Sequence, residues 1–294
     1  MSSTITPPNP TLNGSAPVRS LPATNPLGDF IQETIALTRR LFIQLQRRPS
    51  TLAAGIIQPL MWLVLFGALF QNAPQGLFGN NVSYGQFLGA GVIVFTAFGG
   101  ALNAGLPVMF DREFGFLNRL LVAPLVSRFS IVAASAIFIT TLSLIQTIAI
   151  VAMGAVIGSG LPNPLGLALV GLIVLLLVLG VTALSLGLAF ALPGHIELIA
   201  VIFVTNLPLL FASTALVPLS FMPGWLQVVA SLNPLSYAIE PIRYVYLHSD
   251  WSFSSVVMQA PWGTVSLGMA LLILLAFDLL ALISIQARLR RTLA

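Results

Sequence analysis

Two long tracts without a charged side chain dominate the chain: residues 49–110 (62 positions) and 129–196 (68 positions) hold no Asp, Glu, Lys or Arg. A hydrocarbon core about 30 Å thick takes roughly 20 helical residues to cross, so each tract can supply two spans. In the first tract, the apolar run 52–70 predicts a span, and the polar segment 71–83 with Pro74, Gly76 and Gly79 turns the chain. Residues 84–108 then return across the bilayer. Residues 129–157 and 165–192 form the next pair, turned by GSGLPNP at 158–164. After PGHIE at 193–197, residues 198–217 predict a fifth span and 263–286 a sixth, closed by ARLRR. The tracts lack period-two alternation, which excludes a transmembrane barrel.

Between the tracts lies a charged island, MFDREFGFLNRLLVAPLVSR at 109–128, carrying Asp111, Arg112, Glu113, Arg119 and Arg128. Phe110, Phe114, Leu117 and Leu121 fall at i, i+4, i+7 and i+11, a single helical stripe. Pro124 stops such a helix, because it has no N–H to donate. The spacing predicts a short amphipathic helix over 109–124 at the bilayer surface, either a docking element or a solvated turn. A second amphipathic helix is predicted over 29–48, with Ile31, Ile35, Thr38, Phe42 and Leu45 on one face. Its acids come early and its arginines late, matching the helix dipole. Residues 1–28 hold six prolines among Ser, Thr and Asn and predict a disordered tail.

Orientation follows from the arginines. With a cytoplasmic amino terminus, eleven of the twelve lie inside and only Arg243 outside, a decisive bias. Both termini are then cytoplasmic. Residues 198–239 are 42 positions without a charge, enough for two spans. A second crossing there would move Arg288, Arg290 and Arg291 outside. The segment 218–250, broken by Pro218, Pro223, Pro234 and Pro241, therefore reads as outer re-entrant helices.

Composition agrees: 57% hydrophobic residues, 7% charged residues and a mean hydropathy of +0.99 lie far from soluble domains. The chain reads as an all-α integral membrane protein of six transmembrane helices. All basic residues are Arg, so no GxxxxGK[ST] phosphate-binding loop exists here. There is no Cys, which removes disulfides, thiolate metal sites and thiol nucleophiles. The net charge of +4 belongs to arginines flanking spans and does not indicate nucleic acid.

Few residues carry candidate chemistry. Glu113 can meet a partner or water. Glu240 and Arg243, three apart, predict an ion pair in a poorly solvated outer region. Asp278 is the one acid well inside a span; it reads as a contact between helices, with a proton relay as the alternative. Two histidines on opposite sides form no metal cluster. A secondary carrier usually shows several buried ionisable groups, and an intramembrane enzyme needs facing catalytic groups; neither pattern is present.

Three stretches taken together resemble the membrane subunits of type-2 ATP-binding-cassette exporters. They are RRPSTLAAGIIQPLMWLVLFG at the first span, REFGFLNRLLVAPLVSR in the island and FMPGWLQVVASLNPLSYAIEPIRYV in the outer segment. The island carries Glu113, Gly115, Leu120, Leu121 and Pro124 at the family's places, and the outer stretch carries Pro223, Trp225, Leu226, Asn233, Pro234, Tyr237, Glu240 and Arg243. Phe116, Asn118 and STALVP at 213–218 depart from the usual pattern.

The resemblance implies a permease of the plasma membrane, in a bacterium the inner membrane, that forms a homodimer. It also implies docking of two cytoplasmic ATPase subunits through a coupling helix comprising Arg112, Glu113, Phe114, Gly115, Leu117, Arg119, Leu121 and Pro124. Pro223, Trp225, Asn233, Pro234, Tyr237, Glu240 and Arg243 would shape the outer gate. ATP and Mg would sit on the partner, with no cofactor on this chain, and the cargo would be a drug, lipid or polysaccharide. The alternative is an ion-coupled secondary carrier using Asp278.

Overall fold

Where the sequence predicts spans, the chain forms long apolar helices. The computed structural model describes residues 26–72, 78, 82, 84–115, 129–158 and 160–292, with side chains to residue 286. Helix α1 (Pro26–Gln46) leads to α2 (Pro49–Leu69), which starts with proline at its first turn, where a missing N–H costs nothing. Helix α3 (Tyr84–Leu102) continues after a short break into α4 (Gly105–Glu113). Helices α5 (Phe129–Ile157) and α6 (Pro164–Ala191) follow, then α7 (His195–Phe211). A 3-10 turn at Leu219–Phe221 precedes α8 (Gly224–Leu232) and α9 (Pro234–Leu247). Strands β1 (Val256–Ala260) and β2 (Gly263–Ser266) form an antiparallel hairpin, and α10 (Leu267–Thr292) ends the described chain.

Among the described residues, five helical stretches are long and apolar enough to cross a membrane: Pro49–Leu69, Tyr84–Glu113, Phe129–Ile157, Pro164–Ala191 and Leu267–Gln286. The helix α7 is apolar but spans only 17 residues, about 25 Å at 1.5 Å per residue. The central post is α6, whose Val170, Ile173, Val174, Leu177, Val178 and Leu186 are fully buried. It packs against α3, α4, α5, α9 and α10. At the periphery, α2 buries only Pro59 and Leu63, and its Trp62 leans on Phe95 of α3 with ring centroids 5.9 Å apart.

The four largest departures from the expected boundaries are these. Helix α1 begins at Pro26 rather than residue 29, and of its predicted face Ile31 and Ile35 are exposed, while Thr34 is buried and Phe42 meets Phe138 of α5 at 5.0 Å. The fifth span ends at Phe211 instead of 217, because its last carbonyls find side-chain partners described below. Residues 263–266 form β2 rather than the start of the sixth span; Pro261 and Trp262 close the hairpin, and Gly263 (φ +145°) takes a conformation that L side chains rarely adopt. The helix expected over 109–124 does not run through: α4 starts at Gly105, stops at Glu113, and Gly115 at φ +74° closes it as a left-handed cap. Leu117, Arg119, Leu121 and Pro124 lie outside the described residues.

Candidate functional site

Three consecutive charged residues close α4, and each is tied to a different element. Asp111 accepts two hydrogen bonds from the Arg40 guanidinium of α1, both 2.7 Å, a bidentate geometry that fixes orientation as well as distance. Arg112 donates to the carbonyls of Ala189 (2.9 Å), Leu192 (2.5 Å) and Pro193 (2.6 Å), which places a cation on the otherwise unpaired C-terminal carbonyls of α6. Glu113 accepts from the backbone N–H of His195 at 2.6 Å and lies 2.5 Å from its Nδ1, an acid on the first turn of α7. One residue caps the helix before the turn and the next caps the helix after it. The ring of Phe110 stacks on Phe114 and lies 5.2 Å from the His195 ring, closing the cluster. Phe114 itself is 80% exposed and is the last side chain before the Gly115 cap.

At the opposite end of the bundle a polar knot holds the short helices. Asn233 caps α9 by accepting from the Leu235 N–H (3.0 Å), and its amide donates to the carbonyls of Leu209 (2.8 Å) and Ala212 (2.6 Å) at the end of α7. Arg243 is buried: it pairs with Glu240 at 2.5 Å, donates to Thr214 O (2.6 Å) and Phe87 O (3.2 Å), and lies 3.6 Å over the Phe87 ring. Gly91 of α3 lets this region approach, since a Cβ there would sit 2.5 Å from the Ala215 carbonyl oxygen. Tyr237 is buried, whereas Pro223 and Trp225 are exposed, so α8 turns its tryptophan outward.

The model of the ABC-2 type transporter family matches residues 32–247, which takes in the clasp around α4 and the knot around Arg243. The chain belongs to that family. A protein named as a transport permease, ycf38, from Porphyra purpurea is 60% identical over 252 residues, 86% of this chain and 87% of that one. The ycf38 of Cyanophora paradoxa is 57% identical over 250 residues, 85% and 86% of the two chains. A doxorubicin resistance ABC transporter permease protein, DrrC, of Mycobacterium tuberculosis (strain CDC 1551 / Oshkosh) is 26% identical over 238 residues, 78% and 82% of the two.

This ABC-2 permease therefore gathers most of its described site residues into two groups, with Pro223 and Trp225 left exposed outside them. Arg112, Glu113, Phe114 and Gly115 close α4 at one end; Asn233, Glu240 and Arg243 form the knot at the other, with Pro234 and Tyr237 on the same helix α9. Asp278 joins neither. It is buried between α10 and α6, where Gly180 leaves room for it: a Cβ there would collide with Asp278 Oδ1 and the Phe277 ring. Its Oδ1 has no hydrogen-bond partner among the described residues.

A cleft of about 520 Å³ runs between α2, α3 and α5 and reaches α7 at Asn206, with Trp62, Phe95 and Phe138 among its walls. Arg40, Asp111, His195 and Ser185 escaped the site reading. Their partners lie 71 to 83 residues away, and only the mixed charge of the island hinted at internal pairing.

Proposed function

We propose that this ABC-2 permease is the membrane subunit of an exporter, moving a hydrophobic or amphipathic molecule across the plasma membrane as a homodimer driven by two copies of a separate cytoplasmic ATPase. Family membership implies an ATPase partner, and the DrrC relative is named as an ABC transporter permease. The chain itself hydrolyses no ATP and holds no cofactor; ATP and Mg²⁺ sit on the partner. It contacts lipid and no nucleic acid. The arginine count supports a cytoplasmic side for both termini and for the 109–128 island.

The observation that carries the reading is the triple tie of Asp111, Arg112 and Glu113 to α1, to the end of α6 and to the start of α7. A push on the segment after Gly115 is transmitted to three helices at once, because each link is charged and short. Phe114, exposed beside the cap, is the first side chain offered to the ATPase. Arg112 and Glu113 then act as positioning residues, and the direct contacts fall to Phe114 and the positions beyond it.

The test is to purify the protein with its native partners, identify them by mass spectrometry, and reconstitute the complex in vesicles. Phe114→Asp is expected to lower ATPase stimulation and transport tenfold or more, with the permease's melting temperature unchanged. Transport that persists without any ATPase, follows a proton gradient and is abolished by Asp278→Asn would replace this reading with the secondary carrier.

A further inference from the structure

Helix α1 is apolar on two sides, and only one of them is packed. Thr34 is buried, Leu37 lies on the cluster that holds Ile131 and Leu186, and Phe42 meets Phe138 of α5, so this side is settled inside the protein. The other side carries Leu27, Ile31, Ile35, Arg39 and Ile43, a row at i, i+4 spacing that falls on one helical face. Leu27 is 68% exposed, Ile31 49% and Ile35 61%, and Arg39 is exposed among them.

Positive charge gathers at the same end of the helix. Four arginines fall within residues 39–48, and no acid follows Glu33 until Asp111. Asp111 neutralises Arg40. Arg39, Arg47 and Arg48 are exposed, and among the described residues none of them pairs with a carboxylate. Pro49 follows at once and opens α2, a helix long enough to span, so Arg47 and Arg48 stand where that helix enters the bilayer.

Chemistry limits what can cover such a face. Water leaves the isoleucines hydrated. A phosphate ion or a nucleic acid answers the arginines and not the apolar row, whereas uncharged lipid answers the row and leaves the guanidinium groups without a counter-charge. An anionic phospholipid answers both, because an arginine next to an apolar row lays its stem along the acyl chains and reaches back to the phosphate level. Each arginine near an anionic surface strengthens binding about fivefold.

We propose that the outer face of α1 sits in an anionic leaflet, with Ile31 and Ile35 among acyl chains and Arg39, Arg47 and Arg48 forming a binding site for anionic phospholipid headgroups. The inference goes beyond the exporter reading and is independent of the cargo and of what drives it. Seated this way, α1 is held to the leaflet on one side and, through Arg40, to α4 on the other.

The chain has no Cys, so Ile35→Cys gives the full chain a single site for a bimane label in phosphatidylcholine nanodiscs. The discs receive the same small fraction of either phosphatidylglycerol or phosphatidylcholine carrying a nitroxide on its acyl chain. The phosphatidylglycerol is expected to quench the label at least threefold more strongly, and added salt to narrow the difference. Replacing Arg39, Arg47 and Arg48 together by Gln should make the two lipids equal, with an unchanged melting temperature because no ion pair is lost. A neutral water-soluble nitroxide should quench weakly throughout.

Equal quenching by the two lipids with the arginines in place would overturn the proposal, and so would a preference that survives the triple Gln variant. A label reached by the water-soluble nitroxide and by neither lipid would put this face in water. If protection from that nitroxide appeared only on adding a co-purified ATPase, the face would belong to the protein partner instead. Selective quenching without any co-purifying ATPase would remove the exporter reading and leave the lipid site standing.

Discussion

Arg243 must place a flat cation and its N–H donors where only 5% of the residue meets solvent, and it does so with partners from three parts of the chain. Glu240 neutralises it, Thr214 O and Phe87 O accept from it, and the Phe87 ring lies under the guanidinium. Removing one partner of a buried pair leaves the other charge uncompensated, which typically costs about 3–5 kcal/mol. Arg243→Leu is therefore expected to lower the melting temperature sharply in detergent or nanodiscs, and adding Glu240→Leu should recover part of the loss. Arg243→Lys should rescue little, because an ammonium group lacks the fork that reaches two carbonyls and a carboxylate in different directions. A double variant no more stable than Arg243→Leu alone would show that Glu240 carries no buried charge. The Glu240 pairing was legible from a spacing of three. The carbonyls were not, since Phe87 lies 156 positions away and nothing local marks it.

At the scale of elements, hydropathy reads where helices run, and partners decide where they stop. The apolar tracts announced α2, α3, α5, α6 and most of α10 because a bilayer demands long uncharged stretches. The interruptions were not legible. Helix α3 breaks into α4 at Asn103–Ala104, where a single hydroxyl repairs the gap: Ser185 of α6 donates to Leu102 O at 2.6 Å and accepts from the Gly105 N–H at 2.9 Å. Glycine at 105 is what allows this approach, since a Cβ would lie 2.5 Å from the Ser185 carbonyl oxygen. Similarly, α7 stops at Phe211 because Asn233 and Arg243 hold the carbonyls beyond its end. The hairpin at 256–266 escaped for another reason: its Pro-Trp turn lacks the Asn-Gly or Asp-Gly signature. Ser185→Ala is expected to strand two buried backbone groups at about 1–3 kcal/mol each, seen as a lower melting temperature and faster amide exchange at 102–105. An unchanged exchange rate there would mean that the break is closed by packing alone.

For the whole molecule, the question is whether α1 rides passively on the body or moves with α4. Helix α1 packs on α5, and the short Arg40–Asp111 clasp ties it to the charged end of α4. The pair is partly exposed, with side chains 31% and 22% accessible, so its direct worth is on the order of 1 kcal/mol even in bidentate form. That is too little to decide folding and enough to shift a conformational equilibrium about fivefold. A charge reversal turns the attraction into repulsion between two groups now 2.7 Å apart, which drives α1 away from α4. Asp111→Arg and Arg40→Asp are each expected to cut ATP-driven transport severalfold, with melting temperature and ATPase binding retained. The double reversal restores opposite charges in the same place and should recover most of the transport. If the single reversals leave transport intact, α1 is a passenger, and the push reaches the bundle through Arg112 and Glu113 alone. If the double variant stays as impaired as the singles, Arg40 and Asp111 act separately, and the clasp does not carry motion between α4 and α1.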